Sequence, residues 1–331
     1  MYYYNTRNVP SQVQCGAEHP EFREYLSLWE KCRDCYRGEE AVKSKNQRYL
    51  PFLTMQESTE YYNYKNRAIF LNVMRRTIHG LVGASLRKSP IIKVPSKMEP
   101  YLEDMNMMGM TFQEMLQKLL TELLITGRII VVVDRAENSR CYATCYSAES
   151  NINWRFEQSN PIMAVFAEEV NVSDDGFEHE LHEQFRVYDF DKDNALRIRV
   201  AMRKIPDEDE NLNEDEDKNS FEIIHETYPS FRGETLRELP VFAFNSVGLG
   251  LDNLAPPPLV DLANISLSHY RTSADLENGR HFTSLPQAWI TGVDPDEFKG
   301  GLHIGGSTAW ILPSDTARLG YLEFSGQGLG S

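Results

Sequence analysis

The stretch Leu259–Arg280, LVDLANISLSHYRTSADLENGR, decides the fold. Its apolar side chains recur every three or four positions, which predicts a helix with one packed face. They are Leu259, Ala263, Leu267, Tyr270 and Ala274. The three prolines at 256–258 mark a boundary and suit a helix start. At 1.5 Å per residue, the helix would be about 33 Å long.

The other face of this helix is polar and mixed in sign. It carries Asp261, Asn264, Ser268, Arg271, Asp275 and Asn278. Such a face either meets water, as on an ordinary surface helix, or meets a polar partner. The sequence leaves both interpretations open.

The chain before this helix predicts an α+β fold. Helices are expected near 22–36 and 58–86, and a capping box, Thr111–Glu114, starts another. Gly127 ends that helix, and the β-branched run 128–133 predicts a strand. Short strands follow to about residue 244, and the clearest hairpin joins 181–189 to 195–203.

Composition narrows the possible functions. The net charge is −15, and residues 206–218 alone hold eight acidic side chains, which predicts a solvated loop. The rest is still mildly acidic, which argues against a protein whose main task is to grip nucleic acid. No apolar run is long enough to span a membrane, and the N-terminus lacks the apolar core of a signal peptide, so synthesis in the cytoplasm is expected.

No stretch of the sequence carries a catalytic signature. Cys32-x-x-Cys35 lacks a second pair of zinc ligands and a preceding strand, so both thiols are expected in a helical core. His179 and His182 would face opposite sides of a strand. Asp189-x-Asp191-x-Asp193 lacks the later residues of a calcium loop and predicts a hairpin turn. No enzyme activity and no cofactor are expected, although a hydrolase site assembled from distant Asp, Glu and His residues stays an alternative.

Several stretches, in their order along the chain, resemble the portal proteins of tailed phages and prophages. The similarity extends from about His19 to Ser331. It is carried by Tyr61-x-x-Tyr64-x-x-Arg67-Ala68-x-Phe70-x-Asn72, Gly80-Leu81-Val82-Gly83, Leu123-Leu124-x-x-Gly127-Arg128, Tyr146-x-x-Glu149-x-x-Ile152-Asn153-Trp154, Asn264-x-x-Leu267-x-His269-Tyr270-Arg271-x-Ser273-Ala274-Asp275 and Gly320-Tyr321-x-Glu323-Phe324-Ser325-Gly326.

The resemblance implies a phage portal fold. Residues 1–255 would form a wing of helices followed by antiparallel strands, with 206–218 as its acidic loop. Residues 256–283 would be the first stem helix, and 284–325 a small α/β clip. Residues 326–331 would begin a second stem helix, which such portals continue and which this sequence lacks.

The resemblance also implies function and partners. Portal subunits form a ring, usually of twelve copies, through which double-stranded DNA passes without sequence-specific binding. The ring docks the terminase large subunit, head–tail adaptors and capsid or scaffold proteins, and hydrolyses nothing itself. The protein would lie in the virion, and in the host cytoplasm during assembly. Another phage head or connector component is the alternative.

Two groups of residues follow as candidate sites. The polar stripe Asp261, Asn264, Ser268, Arg271, Asp275 and Asn278 would face the channel. Asp294, Asp296, Glu297 and Lys299 would dock partners at the clip. A mixed-sign channel wall suits passing DNA, because each phosphate contact would add affinity and slow the movement.

Overall fold

The computed structural model describes residues 15–136, 140–158, 160–172, 177, 179–203, 221–283, 287–292 and 316–322. Packing divides the chain into two units. Unit 1 comprises 1–38 and 72–266, and unit 2 comprises 39–71 and 267–331. Within unit 2, residues 39–71 contact the long helix over 267–283, and the division into wing, stem and clip stays a prediction. The α+β class is confirmed.

Unit 1 opens with helix α1, Pro20–Arg37, close to its predicted place. Pro20 occupies its first turn, and the His19 side chain accepts a hydrogen bond from the Glu21 backbone N–H at 3.3 Å. Trp29, Cys32 and Cys35 are fully buried on its inner face, which confirms the prediction of core thiols.

One predicted helix proves to be two. In place of a single helix over 58–86, the chain forms α3, Ser58–Arg67, and α4, Val73–Ser85. The backbone turns extended at Ala68, with ψ at 139°, and Asn72 caps α4 by accepting from the Arg75 N–H at 2.9 Å. The apolar residues keep their helical spacing across 68–72, so the spacing does not show the break. Asparagine is a common N-cap residue, and Asn72 was the residue in the sequence that indicated the start of a second helix.

Of the other helices that precede the first strand, two are short and one has 14 residues. They are α2, Glu39–Ser44, α5, Glu99–Glu103, and α6, Phe112–Ile125. The predicted capping box is confirmed, since Thr111 and Glu114 each bond the other's backbone N–H. Gly127, with φ at +79°, ends the segment and leads into a strand, as expected.

A four-stranded antiparallel sheet packs against α6. Its order is β11-β10-β1-β2, and its strands are β1, Arg128–Arg135, β2, Cys141–Ser147, β10, Val241–Asn245, and β11, Gly248–Leu249. The contact is apolar, with Met115 of α6 against Val131 and Ala143.

A five-stranded antiparallel sheet completes unit 1. Its strands, in spatial and chain order, are β3, Asn151–Glu157, β4, Asn160–Val172, β5, Glu180–Phe190, β6, Leu196–Arg203, and β7, Phe221–Thr227. The β5–β6 pair is the hairpin predicted from the sequence. Asp191 closes its turn by accepting from the N–H groups of Asp193 and Ala195, so the calcium-loop resemblance is a hairpin turn, as predicted. A separate short pair joins β8, Ser230–Phe231, to β9, Glu234–Thr235.

Two arginines, one half-buried and one buried, join the elements of unit 1. Arg33 of α1 forms ion pairs of 2.6 Å with Glu122 of α6 and 2.5 Å with Glu149, which precedes β3. These carboxylates raise the pKa of Arg33 above its ordinary value, although burial acts in the opposite direction. Arg33 therefore ties a helix pair to the sheet.

Arg128 lies deeper, and no carboxylate among the described residues forms an ion pair with it. It donates to the Asn151 and Asn245 side chains at 3.0 and 3.3 Å and to the Leu251 carbonyl at 2.9 Å. Its guanidinium also lies 4.9 Å from the ring centroid of Trp154. Burial lowers its pKa to about 10, so it remains charged at neutral pH.

Unit 2 contains α2, α3, most of a long helix and a strand pair. The long helix is α7, Val260–Thr283, and the strands are β12, Gln287–Thr291, and β13, Arg318–Leu322, which pair antiparallel. In the described parts of the chain, no helix combines the length and apolarity needed to cross a membrane.

Candidate functional site on the long helix

Helix α7 is the element that the sequence singled out, and it begins two residues after the prolines. Four of the five residues of its predicted packing face are buried: Ala263, Leu267, Tyr270 and Ala274. Ser266 joins them and satisfies its hydroxyl by donating to the Leu262 carbonyl at 2.8 Å. The predicted packing face is therefore confirmed.

The polar stripe lies beside the buried face, where much of it is hydrogen-bonded within the chain. In unit 1, Asn264 accepts from Lys31 Nζ at 2.9 Å. In unit 2, Arg271 donates to the Tyr49 carbonyl at 3.0 Å. Asp261 and Ser268 are exposed, together with Ile265 and Thr272. Asn264, Arg271 and Asp275 are exposed too, so five of the six stripe residues reach solvent and only Asn278 is half-buried.

Within unit 2, α3 and the segment after it bind the second half of α7. Tyr64 donates to Asp275 Oδ1 at 2.5 Å, and the Ile69 N–H donates to Ser273 Oγ at 3.0 Å. Arg67 donates to Asn278 Oδ1 at 2.9 Å. The sequence did not decide whether the polar face meets water or a polar partner. For Asp275 and Asn278 the partner is α3 of the same chain.

Aromatic packing accompanies these hydrogen bonds. The rings of Phe70 and Tyr270 meet edge to face, with centroids 6.0 Å apart. The Tyr270 hydroxyl is buried without a hydrogen-bond partner among the described residues, and burial raises its pKa to about 12. An unpaired buried hydroxyl costs free energy, so packing of the ring must offset it.

Replacing Tyr64 with phenylalanine should remove the hydrogen bond to Asp275 and little else. We expect unit 2 to lose about 1.5 kcal/mol of stability, since the bond is made to a charged group and Tyr64 is buried. Hydrogen exchange over residues 267–283 would report the loss. Tyr62→Phe on the same helix is the matched control, because Tyr62 is 60% exposed. Equal exchange in both variants would contradict the expectation.

A cleft of about 390 Å³ opens beside this contact in unit 2. Its lining combines apolar, amide and charged side chains. They are Leu53, Thr54, Met55, Gln56, Glu60, Asn63, Arg67, Asn278, His281 and Phe282. Arg67 is already held by Asn278. The remaining groups form no arrangement of nucleophile, base and orienting residue that would indicate a reaction.

The other residues considered for chemistry lie apart from one another. Burial raises the pKa of the Cys32 and Cys35 thiols to about 12, which keeps both protonated and unreactive. His182 Nε2 lies 3.3 Å from Glu180 Oε2, whereas His179 contacts Asn171. Among the described residues, no three His, Cys, Asp or Glu side chains are placed to hold a metal ion.

The predicted clip-docking residues cannot be placed. Asp294, Asp296, Glu297 and Lys299 lie outside the described residues, as do 326–331 and most of 284–325. The described part of that region is 287–292 and 316–322, which contains the β12–β13 pair. The clip and the channel-facing role of the stripe stay predictions.

One family model matches the part of the chain that contains α7. The model of a domain of unknown function, DUF4055, matches residues 258–331. This match begins two residues before α7 and covers less than a quarter of the chain. No curated protein matches the sequence.

Some of the contacts that the sequence did not predict join two of the stretches that carry the resemblance. Tyr64 and Arg67 come from one of these stretches, and Ser273 and Asp275 come from another, some 200 residues later. Gly127-Arg128 and Trp154 likewise come from two stretches and are in contact. These contacts could have been predicted from the sequence by assuming that stretches which share the resemblance also contact one another.

Proposed function

We propose that this protein is a portal subunit, which assembles into a ring at a capsid vertex and forms a channel for phage DNA. The observation that carries the proposal is the order of elements around α7. A helical and antiparallel region precedes a helix of 24 residues, about 36 Å long, and an antiparallel strand pair follows it. This is the order of wing, stem and clip that the resemblance implies.

The internal contacts add support. Residues that carry the resemblance meet in pairs, Tyr64 with Asp275 and Arg128 with Trp154. If the resemblance of these stretches were accidental, their residues would not be expected to contact one another within each unit. In the ring, the exposed residues of the polar stripe, Asp261, Asn264, Ser268, Arg271 and Asp275, would present one positive charge and two carboxylates to passing DNA, consistent with a wall that does not grip phosphates.

The proposed partners are a second copy of the chain, the terminase large subunit, head–tail adaptors, capsid or scaffold proteins and duplex DNA in transit. The proposed location is the virion. In this proposal the subunit supplies a channel and docking surfaces, while the terminase supplies the chemistry.

The test is the assembly state of the full-length gene product. We expect native mass spectrometry to give a closed oligomer, usually of twelve copies, and negative-stain images to show rings with an axial channel. A strictly monomeric product without rings would overturn the proposal. Rings that support no DNA packaging when supplied to portal-deficient capsids would favour another head or connector component.

A further inference from the structure

An exposed arm, residues 87–93, follows α4 in unit 1. All seven of its residues are exposed, and the half-buried Leu86 and Val94 flank it. Ile91, near the middle of the arm, is 91% exposed. Pro90 and Pro95 restrict the backbone and favour an extended conformation between them. An arm that is already restricted in this way loses little conformational entropy when it binds a partner.

The arm is also the basic part of an acidic protein. Residues 72–98 contain six Lys and Arg residues and none of the 49 Asp and Glu residues, whereas the whole chain has a net charge of −15. Four of these cations lie in the arm or just after it: Arg87, Lys88, Lys93 and Lys97. All four are exposed, and none of their side chains forms a hydrogen bond or ion pair with another described residue.

Two methionines elsewhere are as exposed as Ile91 but lack this positive charge. Met55 and Met108 are 96% and 90% exposed. Glu57 and Glu60 closely follow Met55, and no Lys or Arg occurs from residue 98 to residue 117, around Met108. Single exposed apolar residues of that kind are normal on a protein surface. The arm differs because its apolar side chains and its cations occur together.

A partner for the arm has to cover apolar side chains and neutralise the cations on both sides of them. Ile91 and Ile92 lie between Lys88 and Lys93 in the sequence. The surface of an anionic bilayer does both, because the acyl boundary accepts apolar side chains while lipid phosphates attract lysine and arginine at headgroup level. Nucleic-acid phosphates would pair with the cations but would leave the two isoleucines in water.

We propose that the arm is a peripheral contact for an anionic lipid bilayer, with Ile91 and Ile92 at the acyl boundary and the four cations among the headgroups. The long stems of the lysines let their ammonium groups reach the phosphates while the isoleucines lie deeper. The rest of the chain is net acidic and is repelled by such a surface, so the contact is confined to the arm. The inference goes beyond the portal proposal and is independent of it, because a single arm can bind a vesicle.

The experiment is flotation of the full-length protein with lipid vesicles. One set is pure phosphatidylcholine, and the other is equal parts of phosphatidylcholine and phosphatidylglycerol. We expect binding to the anionic vesicles only, and we expect added salt to weaken it because salt screens the attraction to the headgroups. Lys88→Gln, Lys93→Gln and Lys97→Gln together should weaken binding about a hundredfold, at roughly fivefold for each cation.

A second variant tests the apolar part of the contact. Ile91→Ser should weaken binding to the anionic vesicles about tenfold, because the side chain no longer enters the acyl boundary. The apolar control is Val247→Ser, since Val247 is 68% exposed elsewhere in unit 1. The charge control replaces three other exposed cations of unit 1: Lys118→Gln, Arg155→Gln and Lys192→Gln. Both controls should bind like the unchanged protein.

The other outcomes each overturn the proposal or leave it standing. Absence of binding to the anionic vesicles, or equal weakening in the variants and their controls, would overturn it. If the lysine variant loses binding to duplex DNA while Ile91→Ser binds vesicles normally, the arm is a nucleic-acid contact instead. If Ile91→Ser abolishes rings of a protein that binds no vesicles, the arm is a contact between copies. Vesicle binding without rings would support the arm contact and count against the portal proposal alone.

Discussion

Replacing Arg128 with methionine is expected to lower the free energy of unfolding of unit 1 by about 3 kcal/mol. Methionine fills part of the space but leaves the Asn151 and Asn245 amides and the Leu251 carbonyl without their donor. Each unsatisfied buried acceptor costs free energy, and the cation–π contact with Trp154 is lost as well. The effect should be large because Arg128 is only 2% exposed.

Urea denaturation followed by tryptophan fluorescence would measure this loss, since Trp29 and Trp154 are both in the core of unit 1. Arg135→Met is the matched control on the same strand, because Arg135 is exposed. Arg128→Lys should recover little, since a lysine cannot reproduce three directed donations and a stacked plane. Arg128→Met unfolding at the same urea midpoint as Arg135→Met would contradict the role assigned to Arg128.

The second large effect is expected at Arg33. Arg33→Met would leave Glu122 and Glu149 partly buried and facing each other without the cation between them. Removal of one partner from such a group is usually costly, and we expect a loss of about 3 kcal/mol. Hydrogen exchange in α1 and α6, with urea denaturation, would measure it.

The control for Arg33 replaces the whole group. Arg33→Met combined with Glu122→Gln and Glu149→Gln removes the unpaired charges, so much of the lost stability should return. A triple variant as unstable as Arg33→Met alone would show that lost packing of the arginine stem, rather than charge, accounts for the effect.

Local signals in the sequence predicted much of unit 1. The capping box at Thr111, the glycine at 127 and the turn residues at 189–193 each act over a few residues, and the structure confirms the elements they predicted. The break at Ala68–Asn72 was missed because the apolar spacing continues through it. There the side-chain cap of Asn72 starts a new helix although the apolar periodicity continues.

The site was harder to predict, for a physical reason. The packing face of α7 follows from its own spacing, but the polar stripe could not be assigned because its partners are distant in sequence. Tyr64 and Asp275 are 211 positions apart, and no local pattern pairs them. The burial of Arg128 could not be predicted either, because an arginine at the start of a strand is usually exposed.

The contact between α3 and α7 has a consequence for synthesis on the ribosome. Residues 39–71 emerge long before residues 267–283, and at bacterial rates the interval is roughly 10–40 s. During that interval Tyr64 and Phe70 lack the α7 residues that they contact in the finished chain, Asp275 and Tyr270. Unit 2 is thus completed only late in translation, and until then the nascent chain displays aromatic groups that a chaperone would recognise.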